Sequence, residues 1–384
     1  MGTRTKKILI VTGESSGDIH GASLSRALVS IKPDLKIFGV GGVEMKKAGV
    51  HILQDNKEMA VVGVLEIFGK IRVLYGIFKK IKREISSGNY SALVLIDYPT
   101  FNMVLGYIAS KNRVPVFYYC APQIWVWGKS RVKLLARIVN KMFVTLPFEE
   151  KLYKKAGMDV EFVGHPFLDE VKTTMDKNKA YRKFGLDKNQ KIIGILPGSR
   201  NQEIQKLLPV MLDSARIIKE KFPTSQFVLP LSKTIDQNEV EDFIKLSGLK
   251  IKIVTGLTYD AISVSDLLIV ASGSVTLEAA ILAKPMIIVY KLNFITCCLA
   301  RLVCHISTIG LVNIVAGKEV VPELHQEKVT PGNIASWIIK ALTDKNYYDK
   351  VKQELQKIEK LLGSYGASQT AAKGMIRFLY GRKT

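Results

Sequence analysis

The pattern of apolar positions predicts strands that alternate with helices. Short, almost fully apolar runs such as KKILIVTG, ALVLIDYP and VPVFYYCAP recur in the first half of the chain, and amphipathic stretches such as GDIHGASLSRALVSI lie between them. Strands without polar alternation are typical of a parallel sheet that helices cover on both faces. The first half is therefore predicted to be a doubly wound α/β domain.

The same rhythm begins again after a polar, charged stretch near residues 165–190. KIIGILPGSR, QFVLPL, LLIVASGS and PMIIVYK then form a second series of strands. We predict an α/β fold of two Rossmann-like, doubly wound domains facing a cleft. The first is expected to span residues 1–170, joined by C-terminal helices at about 365–384, and the second residues 180–364.

Composition adds a strong positive charge to this picture. Lys and Arg number 56 and Asp and Glu 34, which gives a net charge of +22. Such an excess favours nucleic acid, an anionic membrane or phosphorylated substrates, and a merely lysine-rich surface is the alternative. The four cysteines show no C-x-x-C spacing, which indicates a reduced, cytosolic compartment. No uncharged run reaches membrane-spanning length, so no transmembrane helix is expected.

Candidate chemistry in the first half lies just after the strands, because open parallel sheets bind ligands at the carboxyl ends of their strands. The loop GESSGDIHGA contains Ser16 and Asp18, both good helix N-caps, although a plain tight turn explains it as well. Asp97, in IDYPTFN, is a candidate general base, with a loop-capping role as the alternative. His165 is a second candidate, though a hinge histidine bonded to the backbone is commoner.

In the second half, the loop ILPGSRNQEI is a candidate phosphate site. Gly198 permits close approach of a ligand, Ser199 is a cap at the start of a helix, and Arg200 offers a fork of donors suited to a diphosphate. Glu203 follows four residues after Ser199, so a purely structural cap remains the alternative.

A second glycine-serine helix opening occurs in ASGSVTLEAA. Glu278 lies one turn into this helix and could accept hydrogen bonds from both hydroxyls of a ribose. The alternative is that the helix N-terminus stabilises this carboxylate electrostatically without any ligand. Two such openings in one half favour a nucleotide diphosphate. The residues concerned are Ser272, Gly273, Ser274 and Glu278.

No metal or cofactor is expected. The chain contains no D-x-D triplet, and its His, Cys and Asp residues show no metal-ligand spacing. Charge on a leaving diphosphate would have to be balanced by helix dipoles and Arg200.

Residues 60–83 have the composition of an interfacial helix, with six cations beside an apolar side suited to acyl chains. A core helix of the first domain is the alternative. The apolar positions assigned to membrane or acyl contact are Val61, Val64, Leu65, Phe68, Ile71, Leu74 and Phe78.

The loop APQIWVWGKSR is too aromatic for an idle connection. Gln123 and Trp125 could hold a sugar, and Arg131 could reach an acceptor phosphate. A structural plug at a domain edge is the alternative reading.

These stretches together resemble the lipid-A-disaccharide synthase family of glycosyltransferases. The resemblance runs along nearly the whole chain, through TGESSGDIHGA, AVVGVLEIFG, IDYPTFN, APQIWVWGKSR, FVGHP, LPGSR, ASGSVTLEAA and VVPELHQE. It implies a GT-B-like fold and transfer of 2,3-diacylglucosamine from its UDP derivative to 2,3-diacylglucosamine 1-phosphate (lipid X). The product is a β-1′,6 disaccharide, formed without metal by a cytoplasmic enzyme peripherally bound to the inner membrane.

The resemblance also implies roles for individual residues. Asp97 matches the proposed base, and Arg200 and Asn313 match residues of catalysis or donor binding. Glu14 and Ser16 match the first glycine loop, and Gln326 the donor-side motif. One departure is Thr100, where the family usually has a second acid.

Two other functions fit parts of the sequence. Another UDP-N-acetylglucosamine-using transferase or epimerase of the same architecture would share the sites in the second half but would not need the apolar, basic helix. A nucleic-acid-binding protein needs stacking aromatics in a basic groove, and the aromatics here accompany apolar helices, so no nucleic acid is expected. The sequence leaves a homodimer open.

Overall fold

The computed structural model describes residues 6–59, 64–122, 129–232, 234–291 and 308–381. The chain divides into two compact units of its own. The first unit comprises residues 1–166 together with 362–384, and the second unit comprises residues 167–361.

The first unit is built on a seven-stranded sheet in the order β3-β2-β1-β4-β5-β6-β7, with every neighbouring pair parallel. The order reverses between β1 and β4, and such a switch point is where doubly wound sheets bind ligands. The strands are β1 (Lys7–Thr12), β2 (Lys36–Gly41), β3 (His51–Asp55), β4 (Ala92–Ile96), β5 (Val116–Tyr119), β6 (Lys141–Val144) and β7 (Val160–Phe162).

Helices cover both faces of this sheet, which is why its central strands β4 (ALVLI) and β5 (VFYY) are apolar and buried at every position. Leu9 packs with the helices on one face, whereas the neighbouring Ile8 and Ile10 pack on the other. Full burial of each such side chain contributes about 1.5–3 kcal/mol. The helices that precede the second unit are α1 (Ser15–Ile31), α2 (Val43–Lys47), α3 (Val64–Ser86), α4 (Pro99–Lys111), α5 (Lys129–Ile138) and α6 (Pro147–Lys154).

The second unit repeats the topology with a six-stranded parallel sheet in the order β10-β9-β8-β11-β12-β13. This is the Rossmann order, and its switch point lies between β8 and β11. The strands are β8 (Ile192–Leu196), β9 (Gln226–Leu231), β10 (Ile251–Thr255), β11 (Leu267–Ala271), β12 (Met286–Tyr290) and β13 (Glu323–His325).

The helices of the second unit also lie on both faces of their sheet. Buried residues of the long helix after β8 and of the helix after β13 form the larger core cluster. The helices are α7 (Phe167–Glu170), α8 (Lys177–Phe184), α9 (Asn201–Lys221), α10 (Gln237–Ser247), α11 (Thr258–Val264), α12 (Val275–Ile281), α13 (Leu311–Ala316), α14 (Pro331–Thr343) and α15 (Lys345–Leu361).

The last helix, α16 (Ala367–Tyr380), returns to the first unit and packs against α1. Ala371 and Met375 are buried in the core beneath α1, and Gly374 lies so close to Phe143 that a Cβ there would be 2.5 Å from the ring. Two parallel sheets, each wound with helices on both faces, confirm the predicted α/β class. Across the described ranges, no helix combines the length and apolar character needed to span a bilayer.

Candidate active site

Asp97 lies at the carboxyl end of β4, at the switch point of the first sheet. The residue is exposed, yet the protein crowded around it removes enough hydration to raise the pKa of Asp97 to about 6. The negative charge of Glu14 adds to this rise, whereas a hydrogen bond from the Tyr98 backbone and the charge of His20 oppose it. A carboxylate with a pKa near neutrality suits general-base chemistry.

Glu14 reaches the same switch point from β1, because α1 begins directly after it. Gly13 makes this approach possible: the Tyr98 ring lies directly against its Cα, and a Cβ on residue 13 would overlap the ring. The Tyr98 hydroxyl donates to the Met59 carbonyl at 2.9 Å and holds the ring there. Absence of a side chain at Gly13 therefore brings the Glu14 and Asp97 loops together.

The two N-cap candidates of the first loop behave differently from expectation. The N-cap of α1 is Glu14, with no side-chain cap bond, and Ser16 lies inside the helix, partly buried. Asp18 is buried and its carboxylate accepts backbone N–H bonds from Gly42 at 2.6 Å and Met45 at 3.1 Å. Asp18 thus caps α2, a helix distant in sequence, instead of its own.

His165 is buried, and its burial together with the nearby His20 lowers the pKa of His165 to about 3. Its imidazole is therefore neutral at physiological pH and a weak base. Its backbone N–H donates to the Leu362 carbonyl at 2.9 Å, where the chain returns to the first unit. Thr100, in the first turn of α4, has only a hydroxyl to offer, which leaves Asp97 as the carboxylate of this loop.

In the second unit, the loop after β8 has the predicted backbone freedom but a different cap. Gly198 has φ 115, and the N-cap of α9 is Arg200, not Ser199, with no side-chain cap bond. The Glu203 carboxylate accepts from the Ser199 N–H at 3.0 Å and pairs with Arg200 at 3.3 Å. Glu203 therefore engages two of the donors expected to bind a diphosphate.

At the end of β11, the second glycine-serine loop also contacts a carboxylate of the helix that follows it. The Ser274 hydroxyl donates to Glu278 at 3.0 Å, and Tyr259 is hydrogen-bonded to Glu278 as well. Burial and this contact raise the pKa of Tyr259, so its hydroxyl stays protonated. Ser272 is partly buried and Gly273 exposed, with nothing within 4 Å of where its Cβ would lie.

Asn313 is almost fully buried and its amide is saturated within the second unit. The nitrogen donates to the Val321 carbonyl at 2.8 Å and to Glu323 at 2.7 Å, and the oxygen accepts from two backbone N–H groups. Burial opposes the ionised form of Glu323, but hydrogen bonds from His325, Asn313 and two backbone N–H groups lower the pKa of Glu323 overall. Asn313 thus shapes the turn that precedes β13. Gln326 follows β13 directly with φ 51.

The remaining sequence candidates fall partly outside the described residues. Gln123, Trp125 and Val61 lie outside them, and Arg131 is an exposed residue of α5. Within the described ranges, no group of three or more His, Cys, Asp or Glu side chains could hold a metal ion.

The interfacial-helix residues separate into two sets. Val64, Leu65, Phe68 and Ile71 fall within α3, but the described side chains of this helix begin at Arg72. Leu74 and Phe78 are partly buried against the core of the first unit, so they are core contacts, which corrects their assignment to lipid. Val73 and Tyr75, with 45% and 61% of their surface exposed, face outward instead.

Sequence reasoning missed the residues that support Asp97 and Glu278 from elsewhere in the chain. Asn102 and Tyr118 hydrogen-bond the Asp97 carbonyl, and Tyr259 bonds Glu278. A tyrosine in an apolar strand and an asparagine within a helix carry no sequence signal for such a role.

Solved structures with the same two-unit architecture define the class. The chain matches the UDP co-structure of S. aureus MnaA with a TM-score of 0.69 at 15% identity, over 98% of this chain and 97% of that one. It matches UDP-GlcNAc 2-epimerase from Neisseria meningitidis bound to UDP-GlcNAc with a TM-score of 0.65 at 16% identity, over 97% and 99%. The chain has two Rossmann-like domains of the GT-B type.

Closer relatives identify the family. A lipid-A-disaccharide synthetase model matches residues 8–376. The chain is 42% identical to the lipid-A-disaccharide synthase of Syntrophus aciditrophicus over 96% of both chains, and 41% identical to that of Geobacter sulfurreducens over 98% of both. The chain belongs to the lipid-A-disaccharide synthetase family, and is a glycosyltransferase.

Proposed function

We propose that the chain transfers 2,3-diacylglucosamine from UDP-2,3-diacylglucosamine to 2,3-diacylglucosamine 1-phosphate, which forms the β-1′,6-linked disaccharide and UDP. Membership of the family supports the reaction. The single observation that carries the mechanism is a carboxylate, Asp97, at the switch point of the first sheet with a pKa raised to about 6.

In this mechanism Asp97 acts as the general base. It takes the proton of the acceptor's 6-hydroxyl while that oxygen attacks the anomeric carbon (C1′) of the donor sugar. The bond between the anomeric carbon and the diphosphate oxygen breaks as the new bond forms on the opposite face, and the configuration inverts. With a pKa of about 6, Asp97 is mostly ionised at pH 7 and still basic enough to accept a proton.

The second unit is proposed to hold the UDP moiety. Arg200 is exposed beside the N-terminus of α9, where a guanidinium and backbone N–H groups would stabilise the leaving diphosphate. Glu278, oriented by Ser274 and Tyr259, is proposed to accept the ribose hydroxyls. Gln326 lies at the end of β13, at the same edge of the sheet.

Incubation of the purified chain with the two diacylated sugars tests the reaction. Release of UDP and formation of the disaccharide are expected, and both should persist in EDTA because the proposed mechanism uses no metal. Absence of disaccharide under conditions in which the chain is folded and binds UDP would contradict the proposal.

An epimerase is the second candidate, because the solved structures of similar fold include UDP-GlcNAc 2-epimerases. At 16% identity this likeness shows the fold alone, whereas relatives at about 40% identity carry the transferase name. Conversion of UDP-N-acetylglucosamine to its 2-epimer by the chain would favour the epimerase. We expect none.

We further propose that one face of the first unit contacts an anionic membrane at the cytoplasmic side of the inner membrane. Helices α3, α4 and α5 cover the same side of the sheet, and α4 contacts both of its neighbours. Exposed lysines lie beside the outward aromatic rings, with Lys79 over Tyr75 and Lys111 over Tyr107. The exposed apolar residues of this face are Val73, Tyr75, Val104, Tyr107 and Leu134.

Cosedimentation with phosphatidylglycerol vesicles tests this surface. Tyr75→Asp with Tyr107→Asp should weaken vesicle binding, because each loses apolar area and adds a negative charge next to the lipid. Leu246→Asp is the matched control, since Leu246 is 83% exposed but belongs to the second unit. Equal vesicle binding by the tyrosine double variant and the Leu246→Asp variant would contradict the proposed membrane surface. Sedimentation of the same samples without vesicles tests the homodimer.

A further inference from the structure

The backbone at Asp97 adopts a conformation that its sequence does not favour. Asp97 has φ 46 and Tyr98 has φ 47, two successive left-handed residues of which neither is glycine. Tyr98 also precedes Pro99, and the residue before a proline is pushed toward extended conformations. Such strained backbone persists only where surrounding structure enforces it.

Two fully buried side chains supply that enforcement. The Asn102 amide nitrogen donates to the Ile96 carbonyl at 3.1 Å and to the Asp97 carbonyl at 2.8 Å. The Tyr118 hydroxyl, from the neighbouring strand β5, donates to the same Asp97 carbonyl at 2.5 Å. Both side chains have 0% of their surface exposed, so each has only protein to bond with.

These bonds hold the backbone of Asp97, from which its carboxylate projects. The Asp97 carbonyl points to donors in the core while the residue itself remains exposed. Relaxation of the loop to an extended conformation would turn that carbonyl away and leave the buried Tyr118 hydroxyl and one N–H of the Asn102 amide without acceptors, which is unfavourable. The strained conformation and its buried donors therefore stabilise each other.

We propose that Asn102 and Tyr118 are positioning residues that aim the Asp97 carboxylate by holding its backbone carbonyl, without touching substrate. The inference rests on the proposed role of Asp97 as the base. It adds that the position of this base is determined by two side chains, from α4 and β5, and not by the loop that contains Asp97.

Tyr118→Phe tests the inference, because it removes one hydroxyl and keeps the ring that fills the core. A misdirected base reduces kcat by about tenfold to a hundredfold, while KM for both substrates stays near the wild-type value. Hydrogen exchange at residues 97–102 should also become faster. Asn102→Ser, which removes the amide donors, should show the same division between kcat and KM.

Tyr119→Phe is the matched control. Tyr119 is the next residue of β5, is equally buried, and pairs its hydroxyl with Ser368 at 3.1 Å on the other face of the sheet. The Tyr119→Phe variant should have the wild-type kcat and the wild-type rate of hydrogen exchange at residues 97–102. Wild-type kcat in Tyr118→Phe, or equal losses in both phenylalanine variants, would overturn the inference.

The same measurements separate this inference from the proposed function. A wild-type chain that makes no disaccharide would remove the reaction. The exchange at residues 97–102 would then decide alone whether Asn102 and Tyr118 hold the loop: faster exchange in Tyr118→Phe supports it, and unchanged exchange overturns it.

Discussion

The switch points of the two sheets carry loops of different construction. In the first unit, Asp97 and Tyr98 have strained, left-handed backbones and contact groups distant in the chain. The Tyr118 hydroxyl bonds the Asp97 carbonyl, and the Tyr98 ring packs against Gly13. In the second unit, the loops at Ser199 and Ser274 are held by glutamates four residues further along their own helices.

This difference follows from the chemistry proposed for each unit. A base must be aimed within a fraction of an ångström, and strain enforced by a packed core provides that rigidity. A site for phosphate and ribose needs backbone N–H groups and carboxylates at helix starts, which local sequence supplies. Substitutions should therefore act through tertiary packing in the first unit and through local charge in the second.

The largest expected effect is that of Asp97→Asn. Loss of the base should lower turnover by about 10²-fold or more, because the amide cannot accept the proton. UDP is proposed to bind the second unit, so the UDP affinity of the variant should equal that of the wild type. Isothermal titration calorimetry measures it. Turnover like that of the wild type would show that another group is the base.

The pH dependence of turnover comes next. Because Asp97 must be ionised to act and its pKa is about 6, turnover should fall by about tenfold for each pH unit below 6. Initial rates between pH 4.5 and 8 measure this. A rate that stays level down to pH 5 would contradict the raised pKa.

The same pKa predicts a stability effect with a definite sign. Asp97 ionises at about pH 6 in the folded chain, against an ordinary value of 3.8, so its ionisation destabilises the fold as the pH rises from about 4 to 6. Asp97→Asn should unfold at a higher temperature than the wild type at pH 7.5 and at the same temperature at pH 4. A lower melting temperature at pH 7.5 would contradict it.

Gly13→Ala and Gly273→Ala compare the packing of the two loops directly. The new Cβ at residue 13 overlaps the Tyr98 ring and should cost about 1–3 kcal/mol of unfolding free energy. The Cβ at residue 273 enters open space and should change stability by less than about 0.5 kcal/mol. Urea unfolding measures both. Equal free energies of unfolding for the two variants would contradict the conclusion that the first loop depends on packing against Tyr98.

The smallest expected effect is that of Glu203→Gln. The amide still accepts from the Ser199 N–H, but the negative charge beside the proposed diphosphate site is gone. UDP affinity should rise about two- to fivefold, as expected for an exposed charge interaction. Weaker UDP binding, measured by calorimetry, would mean that Glu203 is needed to orient Arg200.

Much of the fold could be predicted from the sequence, because it depends on local patterns. Strands buried on both faces must be apolar at every position, so the two series of runs predicted two parallel sheets. Asp97, Ser199 and Ser272 could be selected because ligands bind at the carboxyl ends of such strands. The 198–203 and 274–278 loops bond within four residues, and their chemistry is likewise visible locally.

Other features depend on residues that only the folded chain brings together. Asp18 caps α2 and not its own helix, and Leu74 and Phe78 turn to the core while Val73 and Tyr75 face outward. An apolar, basic helix allows either face to be buried, and only packing against the sheet chooses between them.

The sequence by itself determined the α/β class, the family and the positions of the acidic and glycine-rich loops, because these follow from periodicity and local motifs. Tertiary structure decided the conformation and the pKa of Asp97. Its left-handed backbone requires buried donors from α4 and β5, and its raised pKa requires protein from several elements to displace water around one carboxylate.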